Sequence, residues 1–187
     1  MLRSVDKDAP EVKFYEAGLE ILRTGGLIAL GLERLSQKSG LSNEQFFRIF
    51  KDKTDYLAKL YFYNQANAED VLEEYLDESG NISRERLEEY LSYISFNYPD
   101  ILAYIDDAEL LAETENRIRK YGGSERKNAM KLLAHYEDLK PQPDIAHFSK
   151  TLRFASLVII TRRARGDQDS EIDIGMKYLV SKMFRYI

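Results

Sequence analysis

The chain of 187 residues contains no cysteine, which excludes a disulfide framework and a zinc site built from thiolates. It also lacks long apolar runs: residues 27–30 and 156–160, the strongest, are far shorter than the roughly 20 residues that a membrane span needs. The opening residues 1–8 contain no secretory apolar core. These absences predict a cytoplasmic protein without a membrane segment.

The chain is equally poor in the patterns of catalytic and metal sites. Its two histidines, His135 and His147, have no histidine partner at helical i, i+4 spacing. A phosphate-cradling glycine loop, a nucleophile elbow and a GxGxxG turn are absent, and acidic pairs such as Asp106–Asp107 diverge around a helix. We therefore predict no catalytic residue, metal or cofactor. A small helical enzyme stays as a less favoured alternative, which would need converging buried carboxylates.

The whole chain has fewer basic than acidic residues, but one segment has an excess of basic residues. The 27 Lys and Arg residues face 32 Asp and Glu residues, and the net charge of −5 alone argues against a nucleic-acid partner. Residues 34–59, however, carry six basic side chains against three acidic ones. This local excess indicates where a nucleic-acid contact would lie.

Prolines and paired glycines divide the chain into segments with helical periodicity. Apolar residues recur at the 3.6-residue period between these breaks, and alternating apolar and polar runs are missing, so the sequence predicts an all-α fold. The predicted helices cover about 10–24, 32–40, 42–49, 52–75, 83–97, 100–121, 124–139, 144–165 and 170–187.

Residues 32–49 have the pattern of a helix-turn-helix unit. Gly40 stands where the turn needs a left-handed residue, and Ser42 with Gln45 forms a capping box at the start of the second helix. In this motif the second helix enters the major groove of DNA. Residues 42–49 are therefore the predicted recognition helix, and free backbone N–H groups at Ser42 and Asp52 are candidate phosphate contacts.

Four ordered segments resemble the N-terminal DNA-binding domain of TetR/AcrR-type transcriptional regulators. They are residues 18–22 (GLEIL), 25–30 (GGLIAL), 35–42 (LSQKSGLS) and 47–53 (FRIFKDK). The resemblance implies an N-terminal three-helix domain, residues 1–52, on a larger C-terminal helical bundle domain, residues 53–187. It also implies that the larger domain dimerises and binds an effector.

The same resemblance assigns candidate roles in binding double-stranded DNA. Ser42, Lys51 and Lys53 match the family's phosphate-binding positions, while Asn43, Gln45 and Arg48 are candidates for contacts to base edges. The complete predicted surface is Ser42, Asn43, Glu44, Gln45, Phe47, Arg48, Lys51 and Lys53. Glu44 repels phosphate but can accept a hydrogen bond from cytosine.

Three residues depart from the family pattern. Phe47 and Ile49 stand where the family commonly has tyrosine and histidine, which removes two usual phosphate contacts, and Gly31 replaces a usual capping Ser or Thr. These departures support a second hypothesis, a helix-turn-helix-like interaction protein that has lost operator recognition.

Aromatic residues are enriched in the middle of the chain, where ten of the 22 Tyr and Phe residues lie between positions 56 and 104. Pockets are mostly apolar with a few placed hydroxyls, so these residues predict a site for a small apolar or aromatic effector. The residues predicted to line it are Tyr61, Tyr90, Tyr93, Phe96 and Tyr104. The alternative is that they simply pack a helical core.

The last two predicted helices each carry two apolar stripes, more than a surface helix needs. One stripe would face the core and the other a second copy of the chain, in a four-helix bundle across a two-fold axis. The predicted dimer interface is Leu152, Ala155, Ile159, Ile172, Met176, Leu179 and Met183. The alternative is that these residues are buried inside their own subunit. Together the patterns predict a homodimeric, ligand-responsive repressor of a palindromic operator.

Overall fold

The computed structural model of the chain describes residue 6 and residues 8–187. Residues 1–5 and 7, part of the opening stretch for which no secretory core is predicted, lie outside the described residues. Within the described residues the fold is all-α, as predicted, and only an isolated bridge between Ile82 and Tyr136 has β geometry. None of the helices in this part of the chain combines the length and the apolar content required to cross a bilayer.

Nine α-helices follow one another in the described residues. They are α1 (Pro10–Gly25), α2 (Leu32–Ser39), α3 (Asn43–Ile49), α4 (Lys53–Leu72), α5 (Arg84–Asn97), α6 (Ala108–Lys120), α7 (Glu125–Leu133), α8 (Ile145–Ala164) and α9 (Asp169–Met183). Short 3₁₀ turns lie at Leu27–Ala29, Glu73–Tyr75 and Ile101–Tyr104.

The helix-turn-helix geometry follows from its local sequence. Gly40 adopts φ 70° and ψ 17° after α2, the left-handed conformation that glycine reaches without a Cβ clash. Ser42 then begins α3 with both hydrogen bonds of the capping box. The predicted bounds of α2 and α3 are therefore confirmed to within one residue.

Aromatic rings form the core beneath these helices. Phe14 of α1 lies edge-on to Phe46 of α3 with ring centroids 5.4 Å apart, and Tyr56 of α4 packs on Phe46 at 5.3 Å. The same core continues through Leu57 and Leu60 of α4 to Ile118 of α6. The division at residues 52 and 53 thus remains a prediction, because one apolar core spans it.

A second core fills the larger part of the molecule. It is built from the end of α4 together with α5, α7, α8 and α9, and fully buried members include Leu91, Phe148, Ile159 and Met176. The tightest pairing is that of α8 with α9, which follow each other across a short loop.

Two predicted helices differ most from the structure. The predicted helix 100–121 breaks into a 3₁₀ turn and α6, because the side chain of Asp107 accepts from the Leu110 amide and starts a new helix there. The predicted helix 124–139 ends at Leu133, since the backbone of Ile82 donates to the His135 carbonyl at 2.7 Å. Both differences arise from contacts that periodicity alone does not show.

Candidate functional site

The short helix α3 has one buried side and one exposed side. Phe46 points into the aromatic core, while Asn43, Glu44 and Arg48 are exposed and Gln45 is half-buried. Phe47 leaves 59% of its surface exposed. The side predicted to contact bases is therefore accessible.

Two amide side chains of α3 already bond within the protein. Gln45 Oε1 accepts from the Ser42 amide at 2.8 Å, and Asn43 Oδ1 accepts from the Ser36 hydroxyl of α2. Both carbonyl oxygens are thus used, so each side chain retains its NH₂ group as a hydrogen-bond donor. Such donors suit the acceptor atoms that purines present in the major groove.

The basic side chains of residues 34–59 divide into two groups. Lys38 pairs with Glu20 of α1, and Lys59 pairs with Asp55 at 3.1 Å. The others are exposed and form no ion pair within the described residues: Arg34, Arg48, Lys51 and Lys53. Four cations therefore stay available to an anionic partner around α3.

The start of α4 differs from its expected role as a phosphate site. Asp52 Oδ1 accepts from the Asp55 amide at 2.6 Å, and Asp55 Oδ2 accepts from the Lys51 amide at 2.9 Å. The Asp55 amide, one of those expected to be free, is thus already bonded to the side chain of Asp52, and the neighbouring Lys51 amide is bonded to Asp55. A phosphate here would meet the side chains of Lys51 and Lys53 instead.

Asp55 is the most connected buried charge in the described residues. Its fully buried carboxylate also accepts hydrogen bonds from Lys59 and from the Tyr121 hydroxyl. Burial raises the pKa of Asp55, but hydrogen bonds from Tyr121, a backbone amide and Lys59 outweigh it and hold the pKa below its ordinary value of 3.8. Asp55 is therefore a charged hub between α4 and the end of α6, which the sequence analysis missed.

A second contact joins the same two helices. The Thr54 hydroxyl donates to Glu113 of α6 at 3.3 Å. The start of α4, which three residues separate from the end of α3, is thus held to α6 by polar side chains.

A cavity of about 400 Å³ lies among α4, α5, α7 and α8. Its apolar wall is formed by Ala68, Leu72, Leu76, Ile94, Ala129, Leu132, Phe148 and Leu152. Polar residues also line it, including Ser95 and Ser149, whose buried hydroxyls have no hydrogen-bond partner among the described residues. A largely apolar cavity with a few polar groups is the usual form of a small-molecule site.

Two of the five residues predicted to line an effector site lie at this cavity. The Tyr61 hydroxyl accepts from Asn128 at 3.1 Å, and the Tyr90 hydroxyl donates to the Ala68 carbonyl at 2.9 Å. Burial raises the pKa of Tyr61 to about 12, so its hydroxyl stays protonated.

The other three residues lie elsewhere, which corrects the predicted lining. Tyr93 is exposed beside other tyrosines, Phe96 packs under the Arg163 guanidinium at 4.2 Å, and Tyr104 belongs to the first core. The enrichment in aromatic residues indicated the correct region of the chain, but it did not show which helix faces line the cavity. The unpartnered serines were missed because a serine hydroxyl carries no sequence signal of its surroundings.

An ion-pair group forms one wall of the cavity. Arg153 of α8 bonds Asp100 at 3.0 Å and Glu115 of α6 at 3.2 Å. Burial raises the pKa of Asp100, and Arg153 opposes this shift. The cavity is therefore linked by ion pairs to α6. The same helix also contacts Asp55 of α4, through Arg117.

The predicted dimer residues need a correction. Ala155, Ile159, Ile172, Met176 and Met183 are buried within their own subunit, Leu152 lines the cavity and Leu179 is half-buried. The exposed apolar residues of these helices are Phe154 and Leu157 on α8 and Ile174 and Tyr178 on α9. On α9 the second predicted stripe is also largely buried, through Val180 and Ile187, so Ile174 and Tyr178 were not identified from the sequence.

Comparison with known proteins relates this arrangement to solved structures. No protein-family model and no curated protein matches the chain by sequence. The fold is similar to that of the transcriptional regulator FadR from Bacillus subtilis, solved with stearoyl-CoA, with a TM-score of 0.54 and 13% identity over 94% of this chain and 98% of that one.

Two further structures are similar over nearly the whole chain. A transcriptional regulator from Rhodococcus sp. Rha1 has a TM-score of 0.56 and 13% identity, over 95% of this chain and 96% of that one. A TetR family regulator from Marinobacter aquaeolei VT8 has a TM-score of 0.51 and 16% identity, over 94% and 95%. The chain therefore has the fold of TetR-type transcription regulators.

Proposed function

We propose that the protein is a cytoplasmic, ligand-responsive transcription repressor that binds a palindromic operator as a homodimer. The observation that carries the proposal is the exposed polar side of α3, with Asn43 and Arg48 accessible and unpaired cations beside it. Base edges in the major groove are read by such side chains, and lysines nearby neutralise phosphate.

The exposed faces of α8 and α9 support the dimer. Ile174 and Tyr178 leave 73% and 63% of their surfaces exposed, and Phe154 with Leu157 extends the apolar surface on α8. Exposed apolar patches of this kind mark interaction sites. A two-fold axis through this surface would bring two copies of α3 to one DNA duplex.

Ligand response would pass through α6. A ligand in the cavity meets the wall formed by Arg153 and Asp100, and Arg153 also holds Glu115 of α6. Two residues later, Arg117 bonds Asp52 at the start of α4. A ligand that favours one position of α6 would therefore favour one spacing of the recognition helices.

Selection of bound duplexes from a random DNA pool, with purified full-length protein, tests the proposal. We expect enrichment of an inverted repeat whose half-sites lie one or more helical turns apart. Recovery of no sequence preference, together with no salt-dependent retention of DNA, would refute it.

A second candidate, a helix-turn-helix-like interaction protein, is favoured by one observation. Phe47 on α3 is more than half exposed, and Ile28, before α2, is completely exposed. An apolar surface at this place suits a protein partner better than a phosphate backbone. Retention of DNA at moderate salt separates the two: the first proposal predicts salt-dependent retention, whereas the second predicts none.

A further inference from the structure

The residues that line the cavity carry more negative than positive charge. Four carboxylates reach it, from Glu69, Asp70, Glu73 and Asp100, against two cations, Lys131 and Arg153. Lys131 is paired with Glu69, and Arg153 is paired with Asp100. Both lining cations are thus already balanced by lining carboxylates.

Two carboxylates remain uncompensated. Asp70 of α4 and Glu73 of the following turn are exposed and form no ion pair with any described residue. They lie at the solvent-facing part of the lining, next to the apolar wall around Leu72 and Leu76. A cation entering here gains attraction, whereas an anion meets like charge.

The buried part of the lining offers a neutral hydrogen-bonding group. Ser95 of α5 has only 1% of its surface exposed, and its hydroxyl has no hydrogen-bond partner among the described residues. An unmade hydrogen bond of a buried group is costly, so a polar ligand atom at this position would be favoured. Ser149 of α8, another lining residue, also has a buried hydroxyl without a hydrogen-bond partner among the described residues.

We infer that the cavity binds an amphipathic organic cation, with an ammonium group at Asp70 and Glu73, an apolar body along the wall, and a neutral polar group at Ser95. This inference rests on the proposed ligand response and names the class of effector. It separates the chain from its neighbour solved with stearoyl-CoA, since an anionic headgroup would meet two unpaired carboxylates.

Isothermal titration calorimetry of the full-length protein without DNA tests the inference. The probes share a ten-carbon chain: 10-amino-1-decanol, decylamine, 1,10-decanediol and 10-hydroxydecanoate. We expect the amino alcohol to bind at least about tenfold more tightly than the hydroxy acid, with an advantage that shrinks as salt is added. Equal or tighter binding of the hydroxy acid, or no binding by any probe, would overturn the inference.

Paired variants locate the two recognition groups. Asp70→Asn with Glu73→Gln should weaken both amines about three- to tenfold and leave the diol unchanged. The control, Glu74→Gln with Glu78→Gln, removes the same charge from exposed residues outside the lining. Equal loss in both double variants would contradict a local role for Asp70 and Glu73.

Ser95→Ala tests the buried end of the site. The affinity for the amino alcohol should fall to that for decylamine, and decylamine itself should bind as before. Equal weakening of both probes would refute the contact at Ser95. Because these titrations contain no DNA, failure of the inference leaves the DNA selection unaffected, and failure of the DNA selection leaves the titrations unaffected.

Discussion

The guanidinium of Arg117 lies 3.2 Å from the carboxylate of Asp52 and 3.8 Å from that of Asp55. One side chain of α6 therefore contacts both carboxylates at the start of α4. Asp52 is half-exposed and Asp55 is fully buried, so loss of the two charges should change the free energy of unfolding by different amounts.

Asp55→Asn should destabilise the protein by about 2 to 4 kcal/mol, because it removes a buried charge that holds Lys59 and the Tyr121 hydroxyl. Asp52→Asn is the control: asparagine also caps helices well, and the ion pair is half-exposed, so a loss of about 1 kcal/mol or less is expected. Urea unfolding measures both. Equal losses would contradict the assignment of Asp55 as the hub.

Stability should fall in acid partly through Asp55. Its pKa is lowered in the folded protein, so its contribution is complete above the unfolded value near 4 and is lost as pH falls through the lower folded value. The difference in unfolding free energy between the wild type and Asp55→Asn should therefore be constant from about pH 7 to 5 and shrink below about pH 4. A difference that grows in acid would refute this sign.

Gly18→Ala should destabilise α1 although alanine favours helices. A Cβ at Gly18 would lie 1.9 Å from the Tyr56 hydroxyl, which itself donates to the Phe14 carbonyl. We expect a loss of roughly 2 kcal/mol or more in thermal unfolding. Adding Tyr56→Phe should restore part of it, and failure to do so would place the strain elsewhere.

A matched glycine provides the control for that experiment. A Cβ at Gly175 in α9 would find its nearest contact at 3.6 Å, which is ordinary packing. Gly175→Ala should therefore stabilise the protein, by up to about 1 kcal/mol.

The dimer prediction is tested at α9. Ile174→Glu should convert a dimer to a monomer in light scattering without loss of secondary structure, since the side chain is exposed in one subunit. Met130→Glu on α7, also an exposed apolar residue, is the control and should leave the mass unchanged. A dimer that survives both Ile174→Glu and Leu157→Glu would exclude this surface.

Arg48→Ala and Lys53→Ala should affect DNA binding differently. Loss of Lys53 should weaken all sequences alike and reduce the salt slope by about 0.9, while loss of Arg48 should relax base preference by about 1 to 3 kcal/mol at one position. Fluorescence anisotropy on the selected operator measures both, with Lys127→Ala of α7 as the exposed control. Unchanged affinity in both variants would end the assignment of α3 as the recognition helix.

The predictable part of the fold was local. Gly40, Ser42 and Gln45 specify the turn and the start of α3 through their own backbone and side-chain bonds, so their outcome follows from adjacent residues. Ser83 and Asp144 likewise cap α5 and α8, at the predicted starts of these helices. Local hydrogen bonds need no knowledge of the distant chain.

The unpredicted part depends on distant partners. Asp55 is buried because Tyr121, 66 residues away, covers it, and Ser95 lines a cavity made by four helices. On α9 Met176, which was predicted to lie in the dimer interface, is buried, whereas Ile174, which was not, is exposed; only the packing against other helices determines this. Residue type and spacing do not contain this information.

The aromatic core that joins α1 and α3 to Tyr56 limits where the chain can be cut in protein engineering. A fragment cut after Asp52 would lose Tyr56, Leu57 and Leu60, all fully buried, and would leave Phe46 and Phe50 against solvent. Such a fragment should aggregate rather than act as a portable DNA-binding tag. A transplantable version must carry at least the first half of α4 into its new host.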